Sequence, residues 1–162
     1  MRSRPTPSAF APRRRLKKDR EGEALRMNAE RHDPSWDRGD EDAWDRKNKE
    51  WESRDWVEWL RANLKFPFRA RRREGMDRDM FAPEELHPRS LFPVGCEVEV
   101  AGIAEGDFEP GFDGVIVEVR GDRNHGCKKS KGYLPLQDLE VRPKDDPNYW
   151  PVREFVVWYA NR

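Results

Sequence analysis

Two short runs constrain the fold of this chain more than any other feature. Cys96-Glu-Val-Glu-Val100 and Val115-Ile-Val-Glu-Val119 alternate with the two-residue period of a half-buried strand, and Gly95, Gly102, Gly114 and Gly121 bound them. Residues 68–73 read as a further, basic strand, and 133–136 as a shorter one. Gln137-Asp-Leu-Glu-Val141 reads as a tight turn followed by a last short strand. Several brief strands within about 75 residues, with glycine-rich connections and no helix between them, favour a small antiparallel barrel. The expected fold is therefore α+β, an SH3-like barrel flanked by helices.

The flanking helices follow from a different spacing. Trp44 and Trp51 are seven apart, and Trp56, Trp59, Leu60 and Leu64 continue at threes and fours, predicting one Trp-rich helix over 42–64. Pro67 stops it, because the residue before a proline is pushed out of helical geometry. A tryptophan stripe at this spacing is core packing rather than a base-stacking platform. At the other end Val152, Phe155, Val156 and Tyr159 repeat at helical spacing, with Pro151 suited to the first helical position.

Composition excludes one core for the whole chain. Charged residues make up 40% and hydrophobic ones 35%, against about 25% and about 45–50% in typical globular domains. The shortfall is concentrated at the start. Residues 1–20 hold eight basic side chains and one acid, and residues 1–40 have almost no aliphatic side chains beyond Leu16, Leu25 and Met27. Such a stretch cannot bury enough surface to offset its ordering entropy, so 1–40 reads as a disordered basic arm and 41–162 as the folded domain. No run of about 18 apolar residues is present to span a membrane. The start lacks the apolar stretch of a secretory signal, and Cys96 and Cys127 do not make a disulfide framework. A reducing, cytoplasmic setting is the default expectation.

Catalytic motifs are missing: there is no phosphate-cradling glycine loop, His-Glu-x-x-His or Gly-x-Ser-x-Gly elbow. His32, His87 and His125 fall in segments read as tail or loop, with no nucleophile arranged beside them. The chain is expected not to be an enzyme. Cys96, His125 and Cys127 offer three zinc donors where a structural site usually takes four, and Lys128, Lys129 and Lys131 would repel the cation.

Between Ser90 and Val119 there is no Lys or Arg, while acids are frequent. Glu105, Asp107 and Glu109 stand at every second position, with Asp113 following, and Gly106 and Gly111 allow the backbone to curl. Hard oxygen donors in that number suit Ca²⁺, which accepts six to eight of them in a tolerant geometry. The spacing is not that of an EF-hand. Asp138, Glu140, Asp145 and Asp146 form a second candidate carboxylate cluster, and a helix cap with exposed turn acids is the competing reading.

Three blocks carry a family resemblance. Trp56-Val-Glu-Trp-Leu-Arg-Ala-Asn-Leu-Lys-Phe-Pro-Phe-Arg-Ala70, Val94-Gly-Cys-Glu-Val-Glu-Val-Ala-Gly-Ile-Ala104 and Gly132-Tyr-Leu-Pro-Leu-Gln-Asp-Leu-Glu140 resemble, in order and spacing, the CcbP-type calcium-binding proteins. The likeness runs over residues 54–162. It implies Ca²⁺ binding without EF-hands by a non-catalytic cytosolic buffer or sensor. The chain departs from that family in its neutral net charge, its basic arm and the lysine-rich insertion at 122–131.

The alternative is an SH3-like interaction module that binds protein or nucleic acid through its basic and aromatic surface and the arm. Arg69-Ala-Arg-Arg-Arg73 and Lys128-Lys-Ser-Lys131 are the features that favour it.

Overall fold

A computed structural model describes residues 32–73, 92–106, 114–128 and 130–162. Its helices begin where a carboxylate can cap them. The Asp40 side chain accepts the Ala43 N–H at 3.0 Å and opens α1 (Glu41–Glu52). Asp55 accepts the Glu58 N–H at 3.1 Å and opens α2 (Trp56–Asn63). The single helix expected over 42–64 is therefore two, with α1 ending at Ser53. Asp55 and Glu58 stand at capping-box spacing, which makes a new start cheaper than continuing the old helix. The apolar stripe survives the break, since Trp51, Trp56, Leu60 and Leu64 are all buried.

The N-terminal boundary also moves. Ser35–Arg38 forms a 3₁₀ turn and Trp36 is buried, its ring centroid 5.0 Å from that of Trp51. The arm expected over 1–40 is thus corrected at its end, because an indole that meets three other tryptophans belongs to the core. Residues 1–31 lie outside the described residues.

Among the described residues five antiparallel strands pair in the spatial order β4-β3-β2-β1-β5. They are β1 (Phe68–Arg72), β2 (Glu97–Ile103), β3 (Ile116–Gly121), β4 (Lys131–Pro135) and β5 (Leu139–Val141). The sheet is open, with β4 and β5 as its edges, where a closed SH3-like barrel was expected. β5 has three residues, paired with Ala70, Arg71 and Arg72 of β1, and no ladder joins it to β4 among the described residues. A 3₁₀ turn, Leu136–Asp138, carries the chain from β4 to β5.

Alternation then sorts the two faces of the sheet. Phe68, Ala70, Val98, Val100, Val117, Val119, Leu134, Leu139 and Val141 are buried. On the exposed face Arg71 stands between Glu97 and Glu140, and Glu99 stands between Arg69 and Arg120. Arg120 donates to Glu99 at 3.3 Å. Cross-strand acids thus balance the basic strand, which leaves no one-sided cationic face there.

The C-terminal helix α3 (Tyr149–Asn161) closes the core with Val152 and Phe155. Pro151 is its third residue rather than its first. The Trp56 ring lies 5.5 Å from Phe155 and 5.0 Å from Trp158, so the tryptophans pack rather than present a stacking platform. Asn148 anchors the helix start: it accepts the Lys65 N–H at 2.6 Å and donates to the Lys65 carbonyl at 3.0 Å. No helix among the described residues is long and apolar enough to cross a membrane.

Cys96 and Cys127 are joined by a disulfide, with Cα atoms 5.3 Å apart. Antiparallel pairing of Val98 with Gly121 brings the start of β2 beside the end of β3, and this convergence is what two cysteines 31 residues apart cannot announce. The bridge takes both sulfurs out of the zinc reading.

Candidate metal site

Strands β2 and β3 lead into and out of the acidic loop. The Ala104 N–H donates to the Ile116 carbonyl at 2.9 Å and pins the loop base. Gly106 and Gly114 stand at its shoulders with φ of 121° and 80°, a region other residues rarely adopt. A Cβ on Gly114 would lie 2.8 Å from Gln137 Oε1 and 2.9 Å from Tyr159 Cε2. The loop exit is thereby pressed against the 3₁₀ turn and α3.

Of the first cluster, Glu105 lies at this mouth, while Asp107, Glu109 and Asp113 lie outside the described residues. The Glu105 side chain is exposed and accepts from Arg61 of α2 at 3.1 Å. Sequence reasoning did not single out Arg61, because its partner is 44 residues away.

The second set is spread over different tasks. Asp138 is buried in the 3₁₀ turn, and its carbonyl accepts the Arg73 N–H at 2.8 Å. Glu140, on β5, accepts from Arg142 at 2.9 Å. Asp146 accepts from both the backbone and the side-chain nitrogen of Asn148, each at 2.8 Å, and so steadies the residue that anchors α3. Asp145 lies half-buried in the same turn. Among the described residues no three His, Cys, Asp or Glu side chains come together in a group able to hold a metal ion. The described residues offer a hard oxygen donor at the loop mouth in Glu105, but they do not by themselves complete a calcium site.

Two other carboxylates are held by partners the sequence does not reveal. Asp122 accepts from the His125 ring at 2.6 Å and from the Asn124 N–H at 2.8 Å, and these bonds lower its pKa. Glu154 is buried on α3, where desolvation would raise its pKa. It accepts from Trp51 Nε1 at 3.0 Å and Arg54 Nη1 at 2.9 Å, while Lys47 Nζ lies 3.2 Å and His32 Nδ1 3.9 Å away. These groups overcome the desolvation and lower the pKa from 4.5 to about 2. A glutamate on the aromatic face of α3 was a readable signal that a buried cation must meet it.

Among solved structures the chain is similar to the crystal structure of Anabaena CcbP, at 23% sequence identity and a TM-score of 0.42, covering 65% of this chain and 71% of that one. No curated protein matches it by sequence. The CcbP family model, described as calcium binding, matches residues 42–159, which include all but the first residue of α1, the whole of α2, β1 to β5 and most of α3. The chain belongs to this CcbP calcium-binding family, and Ca²⁺ is the ion that the family binds.

Proposed function

We propose that the chain is a non-catalytic Ca²⁺ buffer or sensor whose ligands come from the β2–β3 loop: Glu105, Asp107, Glu109 and Asp113. The family match over residues 42–159 carries the reading, because it spans this loop together with the elements that hold its ends. The spacing of the acids supports it. Carboxylates crowded on one short loop repel one another, and a divalent ion relieves the repulsion. The chemistry is that of hard oxygen donors, with no nucleophile or base required.

Asp138, Glu140, Asp145 and Asp146 fit the structural role better, since Asp146 serves Asn148 and Glu140 serves Arg142. The strand order supports an unclosed SH3-like arrangement, with β1 between β2 and β5 and a 3₁₀ turn leading into β5.

Calorimetric titration of the full chain with Ca²⁺ tests the reading. Saturable binding is expected below about 1 mM, the weak end of the range for biological calcium modules. Asp107→Asn with Glu109→Gln should weaken it at least about tenfold if these are ligands. No saturable heat from the native chain would refute calcium binding, and unchanged affinity in the double variant would refute the ligand assignment.

A further inference from the structure

We propose that the Cys96–Cys127 disulfide is a redox-released clasp: it fixes the connection after β3 against the start of β2, and a dithiol reductant frees that connection while leaving the core folded.

The connection has little else to hold it. Among residues 122–128, Cys127 is the buried side chain and the others are exposed. Their hydrogen bonds turn inward. The Asp122 carbonyl accepts the His125 N–H at 3.0 Å and the Cys127 N–H at 3.2 Å, and the Asp122 side chain accepts from Asn124 and His125. Gly126, with φ of 90°, makes the bend that brings Cys127 onto Cys96. A locally bonded, polar turn with one covalent anchor is an element that can detach as a unit.

Cys96 and Cys127 pack within the core cluster, but most of that core has other supports. Val98, Val100, Val117, Val119 and Leu134 are held by ladder pairs in which neither cysteine takes part. The Glu97 carbonyl lies 3.0 Å from Cys127 Sγ, so a thiol formed there has an acceptor in place. Asp122 and His125 of the connection also face Arg69, Glu97, Glu99 and Arg120 across a polar cleft, and detachment would remove one wall of that cleft.

The chemistry balances with a dithiol. Its thiolate attacks one sulfur of the bridge, giving a mixed disulfide and a free cysteine thiolate. Its second thiol then displaces the other cysteine. One S–S bond breaks in the protein and one forms in the reductant, with two electrons and two protons passing to Cys96 and Cys127. Both cysteines are buried, at 2% and 4% exposure, so the thiolate reaches the bridge only in brief local openings of the turn. In reducing compartments a bridge is usually transient or redox-sensing rather than permanent.

The test uses the full chain purified without reductant, with maleimide labelling and amide hydrogen exchange measured before and after dithiothreitol. The oxidised chain should take no label, and dithiothreitol should expose two thiols. Amide exchange over 122–128 should quicken at least about tenfold, with exchange in α1, α2 and α3 changed less than about twofold. Cys127→Ser should show the same exchange pattern without reductant, and oxidised dithiothreitol should restore the slow exchange in the native chain. Two labelled thiols in the oxidised chain would overturn the clasp, as would unchanged exchange over 122–128. Loss of protection throughout the helices on reduction would overturn it too, making the bridge a support of the whole fold.

Discussion

Glu154→Gln keeps the side chain's shape and removes the charge that α3 buries against α1 and the turn after it. Desolvation alone would raise this carboxyl's pKa, yet Trp51, Arg54, Lys47 and His32 hold it at about 2, against 4.5 for an ordinary glutamate. A pKa unit corresponds to 1.36 kcal/mol, so the ionised form is favoured in the fold by about 3 kcal/mol. The variant should lose about that much at neutral pH. Lys47 and Arg54 keep Glu50 as a partner, but its carboxylate is mostly exposed and worth less to them.

The sign of the pH dependence follows from the direction of the shift. The folded pKa lies below the unfolded one, so the contribution is fully present above pH 4.5 and is lost as pH falls toward about 2. Urea melts followed by tryptophan fluorescence read both effects, because Trp51 donates directly to the carboxylate. The native chain should exceed Glu154→Gln by about 3 kcal/mol at pH 7, with the gap narrowing steadily below about pH 4.5. A gap under about 1 kcal/mol at pH 7, or one that stays constant between about pH 5 and pH 3, would refute the account of a charge held by its partners.

Asp55→Ala removes the cap that starts α2 and should cost about 1 kcal/mol in a thermal melt, while Asp55→Asn should cost much less. Phe155→Ala leaves a cavity beneath Trp56, Trp158 and Tyr159 and should cost about 3–5 kcal/mol by urea denaturation. Gly114→Ala adds a Cβ where φ is 80° and Gln137 and Tyr159 already crowd the space. It should cost about 1–3 kcal/mol and shift the NMR signals of Tyr159.

The parts of this fold that could be read from the sequence are those in which one residue's neighbours along the chain decide which way it faces. Val98, Val100, Val117 and Val119 alternate, and Val152 and Phe155 sit at helical spacing, so their burial followed from period alone. The same logic failed at residues 53–55, where the apolar stripe runs on through Trp51 and Trp56 although the helix does not. There the signal was a cap, Asp55 with Glu58, and a spacing rule blind to capping passes over it.

What periodicity cannot supply is the partner. Glu154 meets Trp51 at a separation of 103 residues, Glu105 meets Arg61 at 44 and Cys96 meets Cys127 at 31. Each contact depends on a register set elsewhere, and a one-residue slip of β2 against β3 would turn every side chain to the other face. Trp36 shows the same limit, because a lone indole in a polar stretch looks exposed until Trp44, Trp51 and Trp150 surround it. The acids of the β2–β3 loop fall between these cases. Their spacing marks them as a set, but the loop's exit at Gly114 is packed close to Gln137 and Tyr159, residues that follow it by 23 and 45 positions. The exit of that loop thus rests on contacts that the spacing of its acids does not contain.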